Sequence, residues 1–199
     1  MSTPFSDKLY FGIPSRNSTM DISTLANIIF ALGTLEKEMQ LELVDCVVQA
    51  SNIPRSRNAI MDQFGRPNKK MFMLWVDDDM IIRSPVDIVN SIKLAMSMEE
   101  GIVVVPYHMS TPPFESTIRK YRRVRGEGEN PQFEPKKEIE YLDEKGCAGL
   151  GFAVGWFPSN YLFHADEIGE DVYFWCENPH IPMVVDARWT AGHRKEIII

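Results

Sequence analysis

Two hydrophobic rhythms alternate through the first hundred residues of this 199-residue chain. Residues 8–14 (KLYFGIP) form a β-like apolar run that ends in a polar turn over residues 15–19. Leu25, Ile28, Ile29, Leu32, Leu35 and Met39 then recur at the spacing of an amphipathic helix over residues 20–39. Ser18 and Asp21 stand at the separation of a capping box for that helix. A second β-rich run covers 43–48, and a short helix is expected over 54–64, with Pro54 tolerated in its first turn. Residues 71–76 are six consecutive apolar residues, the pattern of a strand buried on both faces. A further amphipathic helix over 85–98 and a fourth buried strand over 101–106 complete the series. Strands separated by helices of this length predict right-handed βαβ units. The expected fold is therefore α/β, a three-layer α/β/α arrangement with a mostly parallel central sheet.

Beyond Tyr107 the regularity fails. Residues 110–137, rich in Pro, Gly and charge, predict a long loop. Shorter strands are expected over 139–142, 150–157 and 181–186, with helical turns near 158–166 and 170–177. Composition narrows the class without naming a chemistry. With 44% apolar and 25% charged residues the chain reads as a single globular domain over 1–199, and its net charge of −7 argues against nucleic acid as a partner. No apolar run approaches the ~20 residues of a membrane span, and the amino terminus lacks the pattern of a signal peptide. Three cysteines, Cys46, Cys147 and Cys176, form no C-x-x-C pair and each adjoin an apolar residue. They are expected to be small core hydrophobes in a reducing, cytoplasmic setting.

Chemistry concentrates where the third strand ends. Asp77, Asp78 and Asp79 follow the apolar run directly, and unpaired carboxylates cannot be hidden beside a core without a partner. Water, a cation or a hard metal ion must meet them. In open α/β sheets that position, beyond the carboxyl ends of the strands, is where ligands bind. Side-chain alternation places Asp77 and Asp79 on one face with Asp78 pointing away. Such a D-x-D spacing suits one carboxylate on Mn²⁺ or Mg²⁺ and another orienting a phosphate-bearing ligand. Residues 119–125 carry five cations in seven positions, a charged loop surface that could also meet an anionic acceptor or a phospholipid headgroup. Trp156, Trp175 and Trp189 could stack on sugar rings, although core packing is the simpler expectation for at least two of them.

These features resemble the nucleotide-sugar glycosyltransferases of the GT-A fold, family-2-like members in particular. Ile13-Pro14-Ser15-Arg16 is similar to the nucleotide-contacting loop after that family's first strand, and Arg55-Ser56-Arg57-Asn58-Ala59 to its A-R-N segment. Asp77-Asp78-Asp79 resembles its metal motif, Gly149-Leu150-Gly151-Phe152-Ala153 its glycine-bearing segment, Gly169-Glu170-Asp171 its late E-D motif, and Gly192-His193 its carboxyl-terminal metal ligand. The small size is similar to that of pared-down members from archaeal viruses. The resemblance implies a nucleotide- and metal-binding half over 1–106 and a sugar and acceptor half over 107–199. It implies Asp77, Asp79 and His193 as metal ligands, with Pro14, Ser15, Arg16, Arg57, Asn58, Asp77 and Asp78 around the donor. Asp171 becomes the base of an inverting transfer, while Glu170 would help position the acceptor. The donor would be a UDP- or GDP-sugar, and the acceptor a hydroxyl of a glycan, protein or lipid-linked molecule. The setting would be cytoplasmic, that of the host if the chain is viral, with peripheral membrane contact through 119–125. A sugar-1-phosphate nucleotidyltransferase would use a similar acidic sheet edge but normally carries a glycine-rich phosphate loop, of which Gly12-Ile13-Pro14-Ser15-Arg16 is a poor version. A non-catalytic metal- or polyanion-binding protein is the other alternative.

Overall fold

A computed structural model describes residues 8–15, 19–66, 69–108, 116–118, 137–142, 146–164 and 169–193, apart from the side chains of 45–50. The element order is β1 (Lys8–Ser15), α1 (Ile22–Met39), β2 (Glu42–Ala50), α2 (Ile53–Gln63), β3 (Lys70–Val76), β4 (Met80–Ile81), α3 (Pro85–Met96), β5 (Ile102–Val104), β6 (Ile139–Leu142), β7 (Phe152–Pro158), α4 (Glu170–Glu177), β8 (Met183–Asp186) and β9 (Gly192–His193). Helix α1 begins one motif later than the spacing of Ser18 and Asp21 suggests. Asp21 is itself the N-cap, its carboxylate accepting from the Thr24 amide at 2.9 Å, while Ser18 lies outside the described residues. Asn52 caps α2 in the same way, accepting from the Arg55 amide at 3.1 Å, and Pro54 sits in the first turn where no amide donor is needed.

Alternation along β3 shows how the layers form. Phe72, Leu74 and Val76 join the core that α1 and α3 cover, together with Leu9, Phe11 and Ile13 of β1. Met71, Met73 and Trp75 join the opposite core, which includes Ile60 and Met61 of α2 and Phe174 and Trp175 of α4. A strand sealed on both faces needs an unbroken apolar run, which explains the sequence of β3. Gly12 belongs to the α2 side of β1. A Cβ there would stand 2.5 Å from a Trp75 ring carbon and 2.9 Å from Ile60 Cγ2. Only a bare backbone lets helix, indole and strand meet so closely.

The sheet corrects one expectation. Its seven strands run β2-β1-β3-β7-β5-β8-β6, and the sheet is mixed rather than mostly parallel. β1 pairs in parallel with β2 and β3, and β5 with β8, whereas β7 is antiparallel to both β3 and β5 and β6 is antiparallel to β8. The apolar pattern of β7 reports burial on two faces, which a central strand shows whichever way it runs. Of the helical turns expected near 158–166, Pro158 ends β7, residues 159–160 form a turn, 161–164 are not helical, and 165–166 lie outside the described residues. Cys147 is buried as expected but Cys176 is exposed on α4, because the preceding residues Phe174 and Trp175 take the inward face. The three indole N–H groups donate to Met98 O, Ala148 O and Ser91 Oγ, so Trp156, Trp175 and Trp189 are tied into the fold. Among the described residues, no helix is long and apolar enough to cross a membrane.

The close approach at Gly12 makes a specific demand on packing. Gly12→Ala should destabilise the protein by about 1–3 kcal/mol through overpacking against Trp75, measured as a lower urea midpoint with an unchanged slope.

Candidate functional site

Register carries each aspartate to a different partner. Asp77 continues the Met71, Met73, Trp75 side of β3 and so faces α2, where Arg57 Nη2 donates to its Oδ1 at 3.0 Å. Asp78 continues the other side and meets Ser15, the residue that extends the Leu9, Phe11, Ile13 face of β1. The Ser15 hydroxyl donates to Asp78 Oδ2 at 2.5 Å, and both residues are buried. The chain then turns, with the Met80 amide donating to Asp77 O at 3.2 Å. Beyond the strand end simple alternation no longer applies, and Asp77 and Asp79 take different partners. Asp79 instead meets His193, whose Nε2 lies 2.6 Å from its Oδ2.

His193 reaches this place through a two-stranded ribbon. β9 pairs antiparallel with β4, Met80 opposite His193 and Ile81 opposite Gly192, and the Ala191 amide donates to Pro106 O at 3.1 Å. The hydrogen bond to Asp79 holds the imidazole pKa above its ordinary value, although burial opposes the charge. A carboxylate oxygen beside an imidazole nitrogen is a donor set suited to Mn²⁺, and less so to Mg²⁺, which prefers oxygen alone. Among the described residues, no group of three His, Cys, Asp or Glu side chains is placed to hold a metal ion. Among the described residues, Asp79 and His193 are the His and carboxylate side chains in direct contact here. Such a pair fits an ion whose remaining ligands are phosphate oxygens and water.

Around Arg57 the second part of the site forms. This residue is 0% exposed, its Nε donating to Glu170 Oε1 at 3.0 Å while Nη2 holds Asp77. Its guanidinium lies 5.3 Å from the Trp75 ring centroid and 5.7 Å from that of Phe163. Burial disfavours the guanidinium charge, but Asp77, Glu170 and Asp171 more than offset this and raise its pKa. Asp77 shows the reverse balance. Burial pushes its carboxyl up to about 6 despite Arg57, with Asp79, Glu170 and Asp78 adding to the rise.

Asp171 follows Glu170 in the first turn of α4. Burial first, and the Glu170 charge second, push its carboxyl up to about 8 against the pull of Arg57. Its Oδ1 is enclosed and accepts no hydrogen bond. A carboxylate with high proton affinity and a free oxygen is equipped to take a proton. Tyr107 stands beside it. The phenol oxygen accepts from the Gly151 amide at 3.2 Å, and its ring edge meets His193 at 5.6 Å. Burial, then the charges of Asp171 and Asp77, raise the Tyr107 pKa well above its usual value. A Cβ at Gly149 or Gly151 would fall within 2.8 Å of the Tyr107 ring or hydroxyl, so these glycines make room for that side chain.

The expected site residues are therefore drawn together unevenly. Asp77, Asp79, His193, Arg57 and Asp171 lie around the carboxyl end of β3, and Pro14 and Ser15 end β1 beside them. Asn58 is directed elsewhere, its amide group donating to Phe163 O and accepting from the Phe163 amide, both at 2.8 Å. Glu170 pairs with Arg57. Arg16 and residues 119–125 lie outside the described residues. Tyr107 and the bracing part of Glu170 were missed from the sequence. The glycines at 149 and 151 were the available signal for a bulky neighbour, but nothing local says which one.

No protein-family model matches the chain, and no curated protein matches it in sequence. Among solved structures it is similar to the crystal structure of A197 from STIV, with 18% sequence identity and a TM-score of 0.49 over 94% of this chain and 84% of that one. A likeness of this size assigns neither ligand nor activity.

The raised Asp171 pKa has a thermodynamic consequence. The folded state keeps a proton that the unfolded chain releases near pH 4, so stability falls as pH rises from about 4 through about 8. Asp171→Asn cannot ionise and should escape that decline. Its melting temperature relative to the parent is expected to climb between pH 5 and pH 9, by the equivalent of roughly 4 kcal/mol, as measured by differential scanning calorimetry.

Proposed function

We propose that the chain is a metal-dependent glycosyltransferase that moves a sugar from a nucleoside-diphosphate sugar to a hydroxyl acceptor with inversion. The observation that supports this most is the gathering, around the carboxyl end of β3, of the Asp79–His193 pair and an Asp171 carboxyl with high proton affinity and an unpartnered oxygen. Asp79 and His193 would hold Mn²⁺ or Mg²⁺. The bound ion would offset the negative charge that gathers on the diphosphate as it leaves.

The protein's own groups account for the remaining steps. Pro14 and Ser15, with Arg16 next in sequence, end the first strand where the nucleotide would lie. Asp78, held by the Ser15 hydroxyl, keeps the turn that presents Asp79. Asp77 is occupied by Arg57, which suits orienting the donor more than sharing the ion. Asp171 would take the acceptor hydroxyl's proton as that oxygen bonds to the anomeric carbon from the face opposite the diphosphate. UDP- and GDP-sugars both remain compatible donors, and a glycan, protein or lipid-linked hydroxyl an acceptor.

Two protein ligands imply that ion and nucleotide bind together. UDP or GDP should raise the melting temperature only when Mn²⁺ is present, by mass action, and Asp79→Ala or His193→Ala should each remove that shift. A shift equally large in EDTA would overturn the assignment of the ion. Asp171→Asn should keep the Mn²⁺-dependent shift while sugar transfer or donor hydrolysis falls by about 100-fold or more. In the parent protein, turnover should rise with pH as Asp171 loses its proton, toward a midpoint near 8. Pyrophosphate release from a nucleoside triphosphate plus a sugar 1-phosphate would identify a nucleotidyltransferase instead.

A further inference from the structure

Helix α4 is short and weakly anchored by its own means. It has 8 residues, its N-cap is Gly169, and no side chain caps its first turn. Isolated helices of this length do not persist in water, so tertiary contacts must fix its start. One of those contacts is unusual in kind. Glu170, the first residue of the helix, pairs with the fully buried Arg57 at 3.0 Å, and the same guanidinium pairs at 3.0 Å with Asp77 at the end of β3. Trp75 and Phe163 flank the guanidinium. Phe163 is itself fixed by Asn58, the next residue along α2. Two adjacent residues of α2 thus reach the end of β3, the segment before α4 and the first turn of α4.

We propose that Arg57 is the positioning residue of the site: by holding Asp77 and Glu170 together, it fixes the first turn of α4 against the end of β3 and so aligns Asp171 with the Asp79–His193 pair. The inference rests on the reading of Asp171 as the base. Arg57 itself touches no reacting atom in this scheme. The groups that face Asp171 are Glu170 from its own helix, Arg57 from α2, Asp77 from the end of β3, Tyr107 from the segment after β5 and the Leu150 amide before β7. Removing the Glu170 charge while keeping its shape should therefore have two separable effects. It should loosen the helix start and lower the proton affinity of Asp171.

Glu170→Gln and Arg57→Lys test this in the intact chain, with UDP-glucose and GDP-mannose as probe donors, Mn²⁺, and water as acceptor. For Glu170→Gln the expected result is turnover lowered about tenfold or more with the donor KM nearly unchanged, as for an interaction expressed in the transition state. The pH midpoint of turnover should move to lower pH, and the Mn²⁺-dependent nucleotide shift should persist. Amide hydrogen exchange over residues 170–177 should quicken by about tenfold, and Arg57→Lys should quicken it further. Parent-like turnover, pH midpoint and exchange in Glu170→Gln would overturn the proposal, as would loss of nucleotide binding in step with turnover. Should the parent hydrolyse neither donor, the transferase reading fails for those sugars, and exchange over 170–177 still decides whether Arg57 fixes α4.

Discussion

A guanidinium shut away from water sets the terms for the rest of this structure. Arg57 has no exposed surface, and a lone buried cation would be strongly penalised. It is tolerable because two carboxylates from distant parts of the chain converge on it, 20 and 113 residues away in sequence. Removing one member of such a buried set typically costs about 3–5 kcal/mol, because the charge left behind has no partner. The arrangement therefore works as a constraint more than as a source of net stability. Helix α2, strand β3 and helix α4 must occupy one relative placement for it to close.

That constraint distributes the acidic triplet. Asp77 is spent on the interior, Asp78 on the Ser15 hydroxyl, and Asp79 alone is left to the His193 ribbon. Three adjacent carboxylates thus meet three different partners. The division follows from geometry. Strand alternation separates the first two, and the turn after β3 redirects the third. Proton affinities follow the same division, since Asp77 and Asp171 are raised chiefly by burial whereas His193 is raised chiefly by its bond to Asp79.

Much of this was legible in the sequence where a local signal existed. The five elements from β1 to β3, and α3 and β5 after them, announce themselves through apolar periodicity and capping chemistry, and the bounds differ by a residue or two. The acidic strand end was legible because charge abutting a long apolar run has no structural excuse. Strand direction was not legible: β7 reads as buried, and burial is blind to polarity of the chain. The separate partners of Asp77 and Asp79 were not legible because alternation stops where the strand stops. Cys176 shows the same limit, since apolar neighbours in sequence do not say which side of a helix faces inward. Arg57 was marked for its motif, but its two ion pairs link residues that no local pattern relates. Tyr107 carried no mark at all.

The placement of β7 bears on how the chain can be made. This strand lies between β3 and β5 at the middle of the sheet, yet it arrives about fifty residues after β5 in synthesis. Until it emerges, β3 and β5 each present an unpaired row of backbone donors and acceptors flanked by apolar side chains. Such edges invite pairing with other chains, and incomplete sheets of this kind are the aggregation-prone species of larger folds. The nascent protein must thus keep two open edges apart from its neighbours until a late segment arrives to fill the gap.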